Sequence, residues 1–370
     1  MTKEQAPSAI DLNDPTPGRS NGPAFAALDL GTNNCRLLVA APAGDGFRVL
    51  DSYSRIVRLG EGLHHTGRLS EPAMDRAIVA LHACAAHLAR RPVRAVRAIA
   101  TEACRRAANG AEFLARVKAE TGICCDIIST REEVELALES CAPLLCGDAR
   151  RALLFDIGGG STELAWVRLS PPTSAPPASV PPAGPQLIGY ASLPVGVVTL
   201  AERFGPAGFT DAGFEAMVDD VTARLAAFEQ VHCIRHEIRQ GGVQLLGTSG
   251  TVTTLAGIAL GLPRYRRPLV DGQILTHATA EQALATLRTM GREALMRHPC
   301  VGPERVEFVL PGCAVFAAIM RFWPAPRVIV ADRGLREGML LRMINADRAR
   351  SDRGRAEHSR SGRAGGHAKA

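Results

Sequence analysis

Two short segments of the sequence place an aspartate, glycines and hydroxyl or amide side chains where phosphate chemistry would need them. They are Asp29-Leu30-Gly31-Thr32-Asn33-Asn34 and Asp156-Ile157-Gly158-Gly159-Gly160-Ser161-Thr162. Glycines let backbone N–H groups approach phosphate oxygens closely, and Ser, Thr or Asn add side-chain donors. An aspartate at a strand end can hold a magnesium ion, directly or through water. Asp29 and Asp156 are therefore candidate metal ligands. Gly31, Thr32, Asn33, Asn34, Gly158, Gly159, Gly160, Ser161 and Thr162 are candidate phosphate binders. A tight hairpin turn also selects Gly and Asn, but both loops follow an apolar strand and carry Asp in the same place. A third glycine turn, Gly247-Thr248-Ser249-Gly250-Thr251, lies between a strand and a helix. Free N–H groups at such a helix start can face an anion, although a plain strand-to-helix turn reads the same.

Two charged segments add reactive groups. On a helix starting at Ser129, the residues Glu132, Glu135 and Glu139 fall within one narrow arc and form a solvated stripe. Glu133 lies about 100° away from Glu132, beside Val134, Ala137 and Cys141. A carboxylate at the edge of a buried face, close to a phosphate loop, is a candidate general base. Partial burial raises its pKa toward a useful range. An ordinary amphipathic-helix Glu shows the same pattern. The segment Thr101–Arg106 follows another strand, whose carboxyl end can send an arginine into the crevice of an α/β sheet. Arg105 and Arg106 are equal candidates by pattern, and a surface salt bridge is the alternative for both.

The elements that must position these groups read as α/β. Strands are expected at 24–30, 35–40 and 47–57, then a helix at 71–88, a strand at 93–100, a helix at 109–121 and a short strand at 125–128. Ser129 is a candidate cap for a helix running to about residue 145. Then the opening pattern returns, with strands at 152–156 and 163–169 around the second loop. Asp29 and Asp156 are 127 residues apart (156 − 29), so the halves read as two versions of one unit. Seven prolines between 170 and 185 mark a linker or insertion between two hairpin strands, since a strand resumes at 186–192. Helices are expected at 197–204 and 212–231, and strands at 243–246 and 328–331. A last helix begins near Gly334.

At 370 residues the chain is long enough for two domains. Its 46% apolar content is that of a globular protein, which excludes a wholly disordered chain. No apolar run reaches membrane-spanning length, and residues 1–23 lack the apolar core of a signal peptide. A cytoplasmic protein is expected. The ten cysteines show no CxxC pair or Cys/His set with zinc spacing, so reduced, mostly buried thiols are expected. The net charge of +6 owes much to residues 348–370, which carry six Arg and one Lys against Asp352 and Glu357. That tail is rich in Gly and Ser and is expected to be disordered. Its charge could attract polyanions, but a specific nucleic-acid or membrane partner is not expected.

Together these residues resemble the exopolyphosphatase/guanosine-pentaphosphate phosphohydrolase family, within the superfamily of actin, hexokinase and the heat-shock ATPases. The likeness runs from about Ala24 to Ile344. It rests on eight ordered segments: Ala27–Asn34, Arg58-Leu59-Gly60-Glu61-Gly62, Ala100–Asn109, Ile128–Glu133, Asp156–Glu163, Leu193-Pro194-Val195-Gly196, Gly247–Thr251 and Gly334-Leu335-Arg336-Glu337-Gly338. The resemblance points to Arg105 rather than Arg106, and to Glu133. It implies two actin-like (ribonuclease H-like) α/β domains with the active site in the cleft between them. The expected division is 24–137 and 138–346, with a final helix that could return to the first domain, and disordered ends at 1–23 and 347–370.

The resemblance further implies that Glu133 activates the attacking water and that Asp156, with Asp29, helps hold Mg2+. Arg105 and the glycine loops, with Gly247, Thr248, Ser249 and Gly250, would hold the terminal phosphates. The implied reaction is hydrolysis of the terminal phosphoanhydride of inorganic polyphosphate or guanosine pentaphosphate. Phosphoryl transfer of this kind needs charge neutralisation and an in-line water more than covalent help. The sequence departs from the family pattern at Asn34, Thr130 and Thr199. The loss of a hydroxyl at Asn34 makes the first loop the weaker of the pair. The additional C-terminal helical domains of longer family members have no counterpart here, which favours short chains or the nucleotide as substrate. The family also suggests a homodimer, with a monomer as the alternative for a chain without those domains. Two other readings stand beside the hydrolase: an actin-like kinase or ATPase, and a non-catalytic sensor of polyphosphate or an alarmone.

Overall fold

The computed structural model describes residues 23–145, 149–170 and 184–364, with side chains to residue 353. The segment Ala24–Leu30 (β1) is apolar at every position except Asp29 and is buried almost throughout, the pattern of a central strand. A turn at Gly31 leads into Asn34–Ala43 (β2), and a second hairpin leads into Gly46–Ile56 (β3). Then come Leu63–Thr66 (α1), Glu71–Ala89 (α2), Val93–Ala100 (β4), Glu102–Arg106 (α3), Gly110–Thr121 (α4), Asp126–Ile127 (β5) and Thr130–Cys141 (α5). Sheet order is β3-β2-β1-β4-β5. The three-strand meander is antiparallel, and β4 and β5 run parallel to β1.

The unit then repeats as Arg151–Ile157 (β6), Thr162–Arg168 (β7) and Gln186–Leu193 (β8). Helices Val197–Phe204 (α6), Asp211–His232 (α7) and Ile234–Gln240 (α8) lead to Val243–Thr248 (β9). Beyond it lie Gly250–Ala259 (α9), Arg267–Val270 (α10), Ile274–Thr276 (β10), His277–Thr289 (α11), Arg292–Arg297 (α12), Val306–Phe322 (α13), Arg327–Ala331 (β11) and Leu335–Ala364 (α14). The order of the second sheet is β8-β7-β6-β9-β11-β10. Its first five strands repeat the first sheet strand for strand, and β10 adds an antiparallel edge. The expected pair of actin-like domains is therefore present. The edge strand β10 and the short helix α3 were not anticipated, because three to five residues carry too little periodicity to read.

Each sheet has its own core. Beneath the first sheet, α2 and α4 contribute Met74, Ile78, Leu81, Phe113 and Val117. Beneath the second, α6, α7, α9, α11 and α13 build a larger cluster around Phe155, Phe316 and Trp323. The inner faces meet through two helices. α5 turns Val134, Ala137, Leu138 and Cys141 to the second sheet. It turns Leu136 to the first sheet, beside Met339, Leu340 and Ile344 of α14. The helices cross closely, since a Cβ on Gly338 would lie 2.2 Å from the Leu136 carbonyl oxygen. The boundary expected at 137/138 thus falls inside a continuous helix shared by both halves.

The expected disordered tail also needs correction, because α14 continues to Ala364. Extending an existing helix gains one hydrogen bond per residue without a new nucleus. Its exit from the core is tied by Asp347 to Arg94 at 2.8 Å and by Arg348 to the Gly44 carbonyl at 2.6 Å. The antiparallel pairing of β7 with β8 places the proline-rich stretch between hairpin strands. Residues 1–22, 171–183 and 365–370, to which disorder or a loop insertion was assigned, lie outside the described residues. Among the described residues nine cysteines are free thiols, most of them buried. Among the described residues no helix is long and apolar enough to cross a membrane.

Candidate active site

The two Asp-x-Gly loops are equivalent turns that face one another. The Gly31 amide donates to the Asn34 carbonyl at 2.9 Å, and the Gly158 amide donates to the Ser161 carbonyl at the same distance. A Cβ on Gly159 would stand 3.1 Å from Cβ of both Thr32 and Asn33, and one on Gly160 would stand 2.8 Å from Thr32 Oγ1. Glycine is needed there because the loops of the two domains touch. Behind the second loop, the Gly158 and Gly159 carbonyls accept the Val197 and Val198 amides of α6 at 3.0 and 2.8 Å. In trans peptides the next N–H groups, those of Gly159 and Gly160, point the opposite way. Behind the first loop, Arg58-Leu59-Gly60 is bound down, with Gly60 N–H on the Thr32 carbonyl at 2.9 Å and the Arg58 guanidinium over the Phe308 ring of α13.

A cavity of about 410 Å³ opens between the sheets. Both aspartates, Gly31–Asn34, Gly158–Ser161, Thr248, Ser249 and Gly250 reach it, as does Glu133. Ser249 holds φ 92°, a strained value for a non-glycine residue, and its Oγ is buried without a partner. Two loop residues expected to bind phosphate do not reach the cavity. Thr162 is fully buried and donates to the Val195 carbonyl at 2.7 Å, tying β7 to the start of α6. Gly247 sits over the Phe155 ring, where a Cβ would approach to 2.5 Å. It is a packing glycine.

Glu133 stands in the first turn of α5, whose expected cap is formed by Ser129 Oγ accepting the Glu132 amide at 3.2 Å. Its side chain is buried and accepts from Arg105 Nη1 at 2.9 Å. Arg105 also donates to the Ile128 carbonyl at 3.0 Å and to Glu102 at 3.1 Å. Burial works against its charge, but Glu133 and Glu102 outweigh this and hold its pKa above the ordinary value. Arg105 is therefore committed to carboxylates and does not line the cavity, contrary to the phosphate contact expected of it. Arg106 donates to Glu102 at 3.4 Å.

The sequence reading did not single out Glu163. It is buried, accepts from Ser161 Oγ and Ser192 Oγ at 2.5 and 2.9 Å, and joins a series of carboxyls that raise one another. Burial, then the charge of Glu163, hold Glu133 well above its ordinary range despite Arg105. Burial and Asp156 push Glu163 to about 7. Burial and Asp29 push Asp156 to about 6. Asp29 is raised by burial, with Arg36 and Arg336 opposing. Symmetry relates two of the missed groups. Arg36 is the cross-strand partner of Asp29, and Glu163 is the partner of Asp156. Each lies seven residues after its aspartate (36 − 29 and 163 − 156), a spacing visible in the sequence once the hairpin register is known. Arg305 and Arg336 also line the cavity.

Among the described residues no cluster of three or more His, Cys, Asp or Glu is placed to hold a metal ion. The donor set nevertheless suits magnesium, which binds through one or two carboxylates plus phosphate oxygens and water. Asp29 Oδ1 is buried with no hydrogen-bond donor, an orphaned anion that a cation would satisfy.

The model of the Ppx/GppA phosphatase family matches residues 38–347. Similar solved structures include an exopolyphosphatase-like protein, 27% identical with a TM-score of 0.73, over 86% of this chain and 97% of that one. A Ppx/GppA family member from Aquifex aeolicus is 27% identical with a TM-score of 0.70, over 88% of this chain and 98% of that one. An exopolyphosphatase from Cytophaga hutchinsonii is 22% identical with a TM-score of 0.74, over 87% and 98% of the two chains, and shows likeness of fold.

Proposed function

The chain belongs to the Ppx/GppA phosphatase family, and we propose that it hydrolyses the terminal phosphoanhydride of inorganic polyphosphate or guanosine pentaphosphate, with Glu133 as general base. The observation that carries this reading is Glu133 itself. It is a buried carboxylate lining the same cavity as both glycine loops, with a proton affinity raised well above the ordinary carboxylate range, first by burial. A base at this place suits deprotonation of an attacking water, and membership of a phosphatase family favours water over another acceptor.

The terminal phosphoryl group would rest on the Gly159 and Gly160 amides and on the first loop. Glu133 takes a proton from water as the water oxygen attacks phosphorus, and the shortened phosphate chain leaves with the bridging oxygen. Arg105 acts on Glu133, fixing its rotamer while keeping it ionisable. Asp156 and Asp29 would hold Mg2+, which neutralises charge on the phosphate oxygens when bound. Tyr265, Val301, Phe308 and Val309 add apolar surface to the cavity, beside Glu304 and Arg305. Polyphosphate has no apolar part to place against that surface, so it favours guanosine pentaphosphate.

Phosphate release from the two substrates, measured side by side with magnesium, tests the reading. Glu133→Gln is expected to lower turnover about 10²–10⁴-fold while leaving melting unchanged or raised. Full turnover in this variant would remove Glu133 from the mechanism.

A further inference from the structure

α14 begins against the cavity, where Leu335, Arg336 and Glu337 line it. Glu337 is already committed. It accepts the Gly334 amide and Arg267 Nη2, each at 3.0 Å. Burial would raise its carboxyl, but Arg336, Arg267 and backbone amides outweigh that and hold it below the ordinary range. Arg267 is anchored in turn to Asp332, which also accepts from Tyr265. The guanidinium of Arg336 comes no closer to Glu337 than 3.9 Å and makes no hydrogen bond among the described residues. Burial pushes its pKa below the ordinary value, and Arg36 repels it.

The cavity therefore holds a donor group without an acceptor, and in Asp29 Oδ1 an acceptor without a donor. Arg336 and Asp29 attract one another but are not hydrogen-bonded. A guanidinium carries five donors in a fixed fork that matches phosphate oxygens. The Arg336 side chain is 19% exposed and lines the cavity, so a ligand oxygen there can meet its donors. A ligand that is anionic toward Arg336 and brings a cation toward Asp29 satisfies both at once, and a metal-bound phosphate chain has that polarity.

We propose that Arg336 is a substrate-binding residue, its guanidinium gripping non-bridging oxygens of the phosphate chain from the α14 side of the cavity. The assignment rests on the hydrolase reading above for its substrate, but not for its test. A structural counter-ion for Glu337 and Asp29 is the competing role, and it would be felt in folding rather than in phosphate affinity.

The full chain, with Arg336→Ala and Arg336→Lys variants, is titrated calorimetrically with inorganic tripolyphosphate in chelator, so that neither magnesium nor turnover enters. Arg336→Ala is expected to weaken binding by about 10- to 100-fold, with Arg336→Lys between it and the parent. The KM for hydrolysis should rise in step, with melting unchanged or raised. Unaltered tripolyphosphate affinity in Arg336→Ala overturns the proposal. If that variant does not fold, unaltered affinity in Arg336→Lys overturns it equally, because a point charge cannot reproduce the fork. Tight binding by the parent protein with no phosphate release once magnesium is supplied would instead sink the hydrolase reading and leave Arg336 in place.

Discussion

Asp156→Asn should make the metal-free protein more stable at pH 8 while abolishing its response to magnesium. Burial and the neighbouring Asp29 raise the Asp156 carboxyl from 3.8 to about 6. The folded state therefore holds this proton more tightly than the unfolded chain does. The stability it contributes is fully present below about pH 3.8 and is lost as pH rises through about 6. At 1.36 kcal/mol per tenfold change in proton affinity, the loss reaches about 3 kcal/mol. Asp156 is part-exposed to the cavity, whose water moderates the penalty, so about 1.5–3 kcal/mol is the working range. Asn has the shape of the protonated acid and pays no such penalty. Its absence of charge also relieves Glu163, which Asp156 raises.

Melting curves from pH 4 to 8.5 in chelator should show the two proteins converging at the acid end. They should separate above pH 6, with the variant several degrees higher. Added magnesium at about 100 times its dissociation constant should raise the parent by about 2.7 kcal/mol and leave the variant unmoved. A variant that melts at or below the parent at pH 8, or a gap that ignores pH, would refute both the buried charge and the metal site inferred from it.

Other expectations follow from the same geometry. Because burial and Glu163 raise the Glu133 carboxyl well above 4.5, kcat/KM should climb with pH along an acid limb displaced above the ordinary carboxylate range. A profile flat from pH 5 to 8 contradicts Glu133 as base. Gly338→Ala would add a helix-favouring residue to α14, yet its Cβ would meet the Leu136 carbonyl at 2.2 Å. Melting should fall by about 1–3 kcal/mol despite the better propensity, and turnover should fall too, because α5 carries Glu133. A stabilised, fully active Gly338→Ala would mean that the crossing of α5 with α14 does not position the base.

Much of the site was legible in local sequence. Asp29 and Asp156 sit at strand ends because an apolar run stops at a glycine turn, and both signals lie within a few residues. The facing of Glu133 followed from helical periodicity and the Ser129 cap. The resemblance points to Arg105 as a phosphate contact, whereas the structure gives its donors to protein acceptors. Position near a strand end says that an arginine can reach a crevice, not that Glu133, Glu102 and the Ile128 carbonyl already claim its donors. Gly247 and Thr162 look like loop donors in sequence, and only the Phe155 ring and the Val195 carbonyl show otherwise.

By itself, then, the sequence determined the repeated strand–turn–strand unit, its aspartates and the orientation of one glutamate, since each is encoded by contacts within a single element or turn. Tertiary structure decided what those groups meet. Glu163 and Arg36 became neighbours of the aspartates through cross-strand register, and Arg336 came to line the same cavity as Asp29 from the other end of the chain. Periodicity reports which side of an element is buried. Whether that side meets a hydrocarbon core or a cavity lined with charge depends on how two domains close over α5 and α14, which no local pattern encodes.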